Sequence, residues 1–366
     1  MIYTELVQSE QKFDELRPLW NKLLGKSGSG SIFLTWEWLF TWWCHYQQKR
    51  NLFVILFWAG RELVGIAPFM QEEEIRGGIK VQTLRFIGSD GPACSEFLSL
   101  IVAPGYELEV YHRLLEFLKK YSPPWDRVVL NPLSLEDSKV HHLYRTVSQS
   151  YLAELERTFM CPYVKLPSDW SQFLSRLSRN FRQQVRSSLR KFEGQTGIKY
   201  LPDAQNTFPI PKLVNALSKL NGLRMEQKGI DSTLKVTSFR RFLSDVLDQF
   251  QARDWLSCSL IHREQEILAI ILNFRYAKKI WYYQAGFLPE YAFLRPGTLL
   301  FAWTIRDAIE KGFLEYDFLR GEEHYKYRWG STNRTAITLQ LYNRKVLPYV
   351  ICYFRKARTW VRRSLK

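Results

Sequence analysis

The 366-residue sequence has no apolar run long enough to cross a bilayer. Its longest stretch without Asp, Glu, Lys or Arg is Trp38–Gln48, whereas a spanning helix needs about 20 apolar residues. The opening residues carry Glu5, Glu10 and Asp14, which argues against a secretory signal. Cysteine is scarce. Cys44, Cys94, Cys161, Cys258 and Cys352 are scattered, odd in number and without a Cys-x-x-Cys pair, so neither a disulfide framework nor a zinc site is expected. A reducing cytoplasm suits that usage. His141-His142 lacks a third ligand at metal-site spacing, so no metal is expected. There is no Walker A loop. Ser178, Ser187 and Ser188 lack His and Asp partners at hydrolase spacing. No zinc finger, RNA-binding signature or clear helix-turn-helix is present.

Acid is also in deficit. Lys and Arg number 52 against 36 Asp and Glu, a net charge of +16. The excess is local. Trp170–Glu193 holds Arg176, Arg179, Arg182, Arg186, Arg190 and Lys191 against Glu193. Arg344–Lys366 holds Arg344, Lys345, Arg355, Lys356, Arg358, Arg362, Arg363 and Lys366 with no acid. Two anion-facing surfaces are therefore expected. In the first segment, Ser168 or Asp169 is placed to cap a helix. Phe173, Leu174, Leu177, Phe181, Val185, Leu189 and Phe192 then trace one apolar face, and the arginines stack along another. That stripe reads either as a solvated surface or as a rail for phosphate or carboxylate groups. The second segment interleaves its cations with Tyr349, Tyr353, Phe354 and Trp360. It reads as a basic amphipathic helix, docked on its own domain or drawn to an anionic membrane surface.

Hydrophobic residues make up 46% and charged residues 24%, the balance of a folded globular chain, and the length favours two domains. Residues 1–160 read as mixed α/β. A helix begins near Thr35. Strands Asn51–Trp58 and Leu63–Phe69 flank a turn at Ala59–Glu62. Strands follow at Lys80–Ile87 and Glu96–Val102, a helix at Tyr106–Lys120, a strand at Asp126–Leu130, a helix at Glu136–Ser148 and a strand at Tyr151–Met160. After the basic helix come a strand at Gly197–Leu201 and helices at Pro211–Gln227 and Ser238–Phe250. A second hairpin, Trp255–His262 with Glu266–Arg275, leads to a strand at Lys279–Ala285, a helix at Gly297–Lys311, and strands at Phe313–Phe318 and Ala336–Asn343. Each half thus has a helix, a hairpin whose turn contains Arg-Glu, a strand, a helix and a further strand, so two related α/β units are expected.

The sharpest signal lies in residues 281–330: Trp281-Tyr282-Tyr283-Gln284-Ala285-Gly286-Phe287, then Leu294-Arg295-Pro296-Gly297-Thr298-Leu299, then Tyr316-Asp317-Phe318-Leu319-Arg320-Gly321-Glu322-Glu323-His324-Tyr325-Lys326. It reads strand, Pro-Gly turn, helix, strand. Pro296 suits a helix entry and Gly297 lets a ligand approach the backbone. A helix N-terminus offers N–H groups and a positive dipole end to phosphate.

With Phe33-Leu34-Thr35-Trp36-Glu37-Trp38-Leu39, Leu63-Val64-Gly65-Ile66-Ala67-Pro68, Ser178-Arg179-Asn180-Phe181-Arg182, and Arg224 with Lys228-Gly229, this block resembles the bacterial CelD-type acetyltransferase family. That family has the GNAT fold and is related to the FemAB aminoacyl-transferases. The resemblance runs to about Tyr342. It implies an α/β fold of two GNAT-like units with mixed central sheets plus a basic C-terminal helix, with boundaries 1–162, 163–343 and 344–366. It further implies an acyltransferase using acyl-CoA, acetyl-CoA above all, and no metal. Its acceptor would be an amine or hydroxyl of a sugar or of an envelope or exopolysaccharide precursor. In such folds two neighbouring strands splay, and the donor's pantetheine arm pairs with the exposed backbone. Its pyrophosphate rests on the start of the next helix, here Arg295, Gly297, Thr298 and Leu299. Asp317 would be the base, with Glu322 beside it and Tyr283 as acid or donor. Arg179, Arg182, Arg186, Arg224 and Lys326 would bind the substrate. A plainer role for Asp317 is to hold a turn. The usual GNAT glycine run is absent from the 295–299 turn. An aminoacyl-tRNA donor held by the arginine rail is therefore the alternative, and a non-catalytic membrane-surface component of polysaccharide biosynthesis is the third reading.

Overall fold

The computed structural model describes residues 2–76, 78–93, 95–121, 125–227 and 229–343. The basic tail expected at 344–366 lies outside the described residues, as do Cys94 and Lys228.

In chain order the elements are β1 (Ile2–Val7), α1 (Glu10–Glu15), α2 (Arg17–Ser27), α3 (Trp36–Tyr46), β2 (Arg50–Ala59), β3 (Glu62–Arg76), β4 (Ile79–Phe86), β5 (Ile101–Val102), α4 (Glu107–Lys120), β6 (Arg127–Ser134), α5 (Ser138–Ser148) and β7 (Leu152–Lys165). Then come α6 (Trp170–Arg176), α7 (Arg179–Glu193), β8 (Ile198–Leu201), α8 (Ile210–Gln227), α9 (Thr237–Ala252), β9 (Leu256–Arg263), β10 (Glu266–Tyr276), β11 (Lys279–Phe287), α10 (Pro296–Glu310), β12 (Glu315–Asp317), α11 (His324–Tyr327) and β13 (Thr332–Tyr342).

Two compact units divide the chain. One runs to Phe159 and resumes at Thr335; the other is Met160–Arg334. The boundaries differ from the 1–162 and 163–343 read from sequence. The reason is hydrogen bonding: Ala336–Tyr342 pairs antiparallel with Ser134–Arg127 of β6, so the last strand returns to the first unit. The first unit's sheet runs β1-β2-β3-β4-β6-β13, with β5 on β3; β4 and β6 are parallel and the other neighbours antiparallel. The second unit's sheet runs β7-β12-β11-β10-β9-β8, in which only β11 and β12 are parallel. Both units are mixed α/β.

Local chemistry accounts for the element ends. Thr35 Oγ1 accepts the Trp38 N–H and starts α3, which buries Trp38 and Trp42 in the first core. Gly60, at φ 59°, makes the β2–β3 turn. Asp169 caps α6 by accepting from the Ser171 and Gln172 N–H groups. The single basic helix expected over 170–193 is instead two. Leu177 and Ser178 are extended, at ψ 153° and 147°, and Ser178 Oγ caps a fresh helix on the Phe181 N–H. The strand expected over Glu96–Val102 shrinks to Ile101–Val102, because Phe97 turns left-handed at φ 51°.

In the second unit a β-bulge determines which side chains reach the site. Leu272 of β10 faces Gln284, but Asn273 faces Tyr282, so Tyr283 is the extra residue of β11. Past the bulge, Gly286 turns toward α8. A Cβ there would stand 2.4 Å from the Asn221 nitrogen and 2.5 Å from the Leu220 carbonyl carbon. Both are backbone atoms inside a helix, which has no rotamer to yield. Gly286→Ala is therefore expected to destabilise the protein by about 1–3 kcal/mol through overpacking. Urea unfolding checks it, and an unchanged midpoint would refute the contact.

Candidate active site

β11 and β12 pair at Lys279↔Glu315, Ile280↔Tyr316 and Trp281↔Asp317, and then part. β12 ends at Asp317, while β11 continues to Phe287. A cavity of about 250 Å³ opens beyond the divergence, at the small end of ligand sites. Its apolar walls include Ile271 of β10, Ala285 and Phe287 of β11, Phe301 of α10 and Trp329. Its polar groups come from Arg224 of α8, from Arg295, Gly297 and Thr298 at the start of α10, and from Tyr325 and Arg328. Phe181 of α7 completes one side.

Among the described residues the lining holds Arg224, Arg295 and Arg328 and no Asp, Glu or His. Arg224 lies within hydrogen-bonding reach of Tyr282 and Tyr325, with its guanidinium 5.6 Å from the Tyr325 ring centre. Arg328 is fixed at 4.1 Å over the Phe181 ring, and one Nη donates to Gln184 at 2.7 Å. Burial pushes the Tyr282 and Tyr325 phenols up, so both stay protonated at neutral pH. A half-enclosed cavity with guanidinium groups and no lining carboxylate favours an anion, because fewer waters screen the attraction there.

Four residues expected at the site do line this cavity: Arg224, Arg295, Gly297 and Thr298. The helix start is less open than expected. Arg295 adopts a left-handed conformation, φ 54° and ψ 53°, and its carbonyl accepts the Thr298 and Leu299 N–H groups at 2.9 and 3.2 Å. Pro296 has no N–H, which leaves the Gly297 N–H as the amide without a partner among the described residues. The Leu299 side chain is core.

The other expected residues lie elsewhere. Tyr283 packs its ring 4.9 Å from Phe274, away from the cavity, on the face it shares with Trp281, the cross-strand partner of Phe274. Glu322 is exposed and accepts from the Tyr327 hydroxyl at 3.3 Å. Arg179 and Arg186 are exposed along α7, and Arg182 donates to the Ser175 carbonyl at 3.2 Å. Lys326 is 2% exposed, with its ammonium enclosed by the preceding loop's carbonyls. Asp317 is wholly buried and holds a turn. One carboxylate oxygen accepts the Leu319 N–H at 2.8 Å, and the other pairs with Arg334 at 2.7 Å. Arg334 also grips Glu315 at 3.0 Å and lies over the Tyr163 ring. Sequence reasoning did not single out Phe181, Tyr325, Arg328 and Trp329 as site residues. Tyr325 and Arg328 are three apart, a helical spacing that could have flagged them.

Burial pushes the Asp317 carboxyl up to about 6, against the pull of Arg334 and Lys279 and with help from Glu315. Its folded value therefore lies above its unfolded one. The stability it contributes is full below about pH 4 and is lost as pH rises through about 6. Relative to Asp317→Asn, the wild type is expected to lose roughly 2–3 kcal/mol across that window. Paired denaturant titrations at several pH values measure the difference; a pH-independent gap would show that the carboxyl is not perturbed.

Comparison with known proteins agrees with this geometry. Residues 179–327 match the family model of the acetyltransferase (GNAT) domain. Among solved structures, FemX is similar at a TM-score of 0.66 and 11% identity, over 95% of this chain and 99% of that one. A conserved protein of unknown function from Bacteroides thetaiotaomicron is similar at 0.54 and 13%, over 94% and 100%. The C-terminal domain of a putative lysylphosphatidylglycerol synthetase from Agrobacterium fabrum is similar at 0.54 and 10%, over 94% and 95%. At such identities the likeness is one of fold. No curated protein matches the chain. On the family match and the diverging strands together, residues 179–327 have the fold of a GNAT domain.

Proposed function

We propose that the chain is a CelD-type acyltransferase that moves an acyl group from acyl-CoA to an amine or hydroxyl of a sugar or an envelope or exopolysaccharide precursor. The observation that carries this reading is the cavity where β11 leaves β12, ringed by Arg224, Arg295 and Arg328 with no lining acid. Its volume suits the acyl end of a donor, with the anionic remainder at the arginine-rich mouth. The acceptor's nitrogen or oxygen attacks the thioester carbonyl carbon, the C–S bond breaks, and the thiolate leaves. Asp317 is engaged by the Leu319 N–H and Arg334 and does not line the cavity, so the acceptor's proton passes to water. Tyr325 stays protonated, and its O–H, engaged with Tyr282, turns to the developing oxyanion once the donor is bound. Rate enhancement then comes from positioning and from fixed donors. The reading puts the chain in the cytoplasm, with the basic 344–366 segment toward an anionic leaflet. Among the described residues no helix is long and apolar enough to cross a membrane.

A second reading has one observation in its favour. Two of the amides that would receive a pyrophosphate are taken by the Arg295 carbonyl. A donor without a pyrophosphate, such as an aminoacyl-tRNA, loses nothing by that. It would track the exposed arginines of α7, and the transfer would break an ester C–O bond in place of C–S. One neighbour's name, lysylphosphatidylglycerol synthetase, couples an amino acid to a lipid.

Acetyl-CoA and longer acyl-CoAs are expected to raise the melting temperature of the full chain and to release free thiol when an amine acceptor is supplied. Arg224→Gln is expected to weaken donor binding by about 10- to 100-fold, the loss of one charge-assisted hydrogen bond. A panel of acyl-CoAs with neither stabilisation nor thiol release, alongside transfer from charged tRNA, would replace the first reading with the second.

A further inference from the structure

Three of the cavity's lining residues, Tyr325, Arg328 and Trp329, belong to one short stretch of chain with little regular structure of its own. α11 is a single turn, and the preceding residues 318–323 are irregular. Something other than a long helix must hold these side chains in place.

The structure supplies it from Lys326. The side chain is 3% exposed. Its ammonium donates to the carbonyls of Arg320 at 2.6 Å, Gly321 at 3.1 Å and Leu319 at 3.4 Å, and it pairs with a Glu323 carboxylate oxygen at 3.0 Å. An ammonium has three protons. Four surrounding oxygens use them fully, with none left for a phosphate. The loop is shaped to allow this. Leu319 is left-handed at φ 55° and Gly321 lies at φ 107°, so three successive carbonyls converge on one point. The turn is tied from its other side as well. Asp317 accepts the Leu319 N–H, the Phe318 N–H donates to the Pro162 carbonyl at 2.8 Å, and the Gly321 N–H donates to the Met160 carbonyl at 3.2 Å. Neither Lys326 nor Asp317 lines the cavity, whereas Tyr325, Arg328 and Trp329 do.

We infer that Lys326 is a positioning residue: by gathering the carbonyls of residues 319–321 it clamps the 318–329 segment and so sets the wall formed by Tyr325, Arg328 and Trp329. The inference deepens the transferase reading and rests on it only where donor binding is concerned. It makes Lys326 act through its neighbours, although its charge and place in the sequence suggest direct contact with substrate.

Gly321 offers a way to tell the two roles apart. A Cβ on Gly321 would stand 2.5 Å from the Glu323 carboxylate and would strain the backbone at φ 107°, so Gly321→Ala disturbs both the loop's carbonyls and one member of the clamp without removing any charge. Full-length wild type, Lys326→Met, Lys326→Arg, Gly321→Ala and Glu323→Gln are compared by hydrogen–deuterium exchange and by acetyl-CoA titration, with thiol release followed at varied donor concentration. Lys326→Met and Gly321→Ala are both expected to speed exchange of the 318–329 amides by about ten-fold or more while β9 and β10 stay protected. Both should raise KM for acetyl-CoA more than they lower kcat. Lys326→Arg should not restore protection, since a planar fork cannot replace a compact ammonium among three carbonyls. If Lys326→Met abolishes binding with exchange unchanged, or if Gly321→Ala is silent in both measurements, the clamp is wrong and Lys326 meets the substrate itself. Should Lys326→Met fail to fold, Gly321→Ala and Glu323→Gln decide by the same criteria. Should wild type not bind acetyl-CoA, the donor reading fails and the exchange arm alone decides the clamp.

Discussion

β11 and β12 share only three paired residues, and the site of this protein depends on that short partnership. Parallel pairing brings Trp281 beside Asp317. Then β12 stops, and β11 continues along α8 with one edge no longer matched to β12. A sheet edge inside a protein has to be covered, because its peptide groups are costly to bury unbonded. Here the cover is partial. Phe318 and Tyr325 pack around Phe301, and Asn221 of α8 donates to the Ala285 carbonyl at 3.1 Å. The remaining space is the cavity.

Charge is arranged on two levels around that gap. At its root, acids and bases are matched: Asp317, Glu315, Arg334 and Lys279 form one buried network that ties β12 to the end of the second unit. At its mouth they are not matched. Arg224 has phenols for neighbours, Arg328 an aromatic face and an amide, and among the described residues no carboxylate lines the space. The first arrangement holds structure together. The second leaves a positive potential, set by Arg224, Arg295 and Arg328, available to an incoming group.

Much of the fold is legible in the sequence because its causes are local. The Asn51–Phe69 and Trp255–Arg275 hairpins follow from apolar runs around polar turns, and the helix start at Pro296 from proline at its first position. Other features were not legible. Residues 2–27 form β1, α1 and α2, where no elements are expected from the sequence. The break between α6 and α7 arises from two extended residues in the middle of an unbroken apolar periodicity. The bulge at Tyr283 reverses side-chain parity beyond it, which is why the site receives Ala285 and Phe287 in place of Gln284.

Residue chemistry alone determined that the chain is a mixed α/β protein, that its excess charge is concentrated, and that residues 281–330 carry the decisive strand–turn–helix–strand order. Composition and spacing suffice for those conclusions because periodicity, capping and turn preference act over a few neighbouring residues. Only the tertiary structure decided which polar groups are free to act. Asp317 and Lys326 have the right charges for base and anion binder, yet one holds the Leu319 turn and Arg334 while the other is enclosed by carbonyls. Whether a charge faces a ligand or its own backbone depends on where distant segments place their donors and acceptors, and residue type carries no record of that.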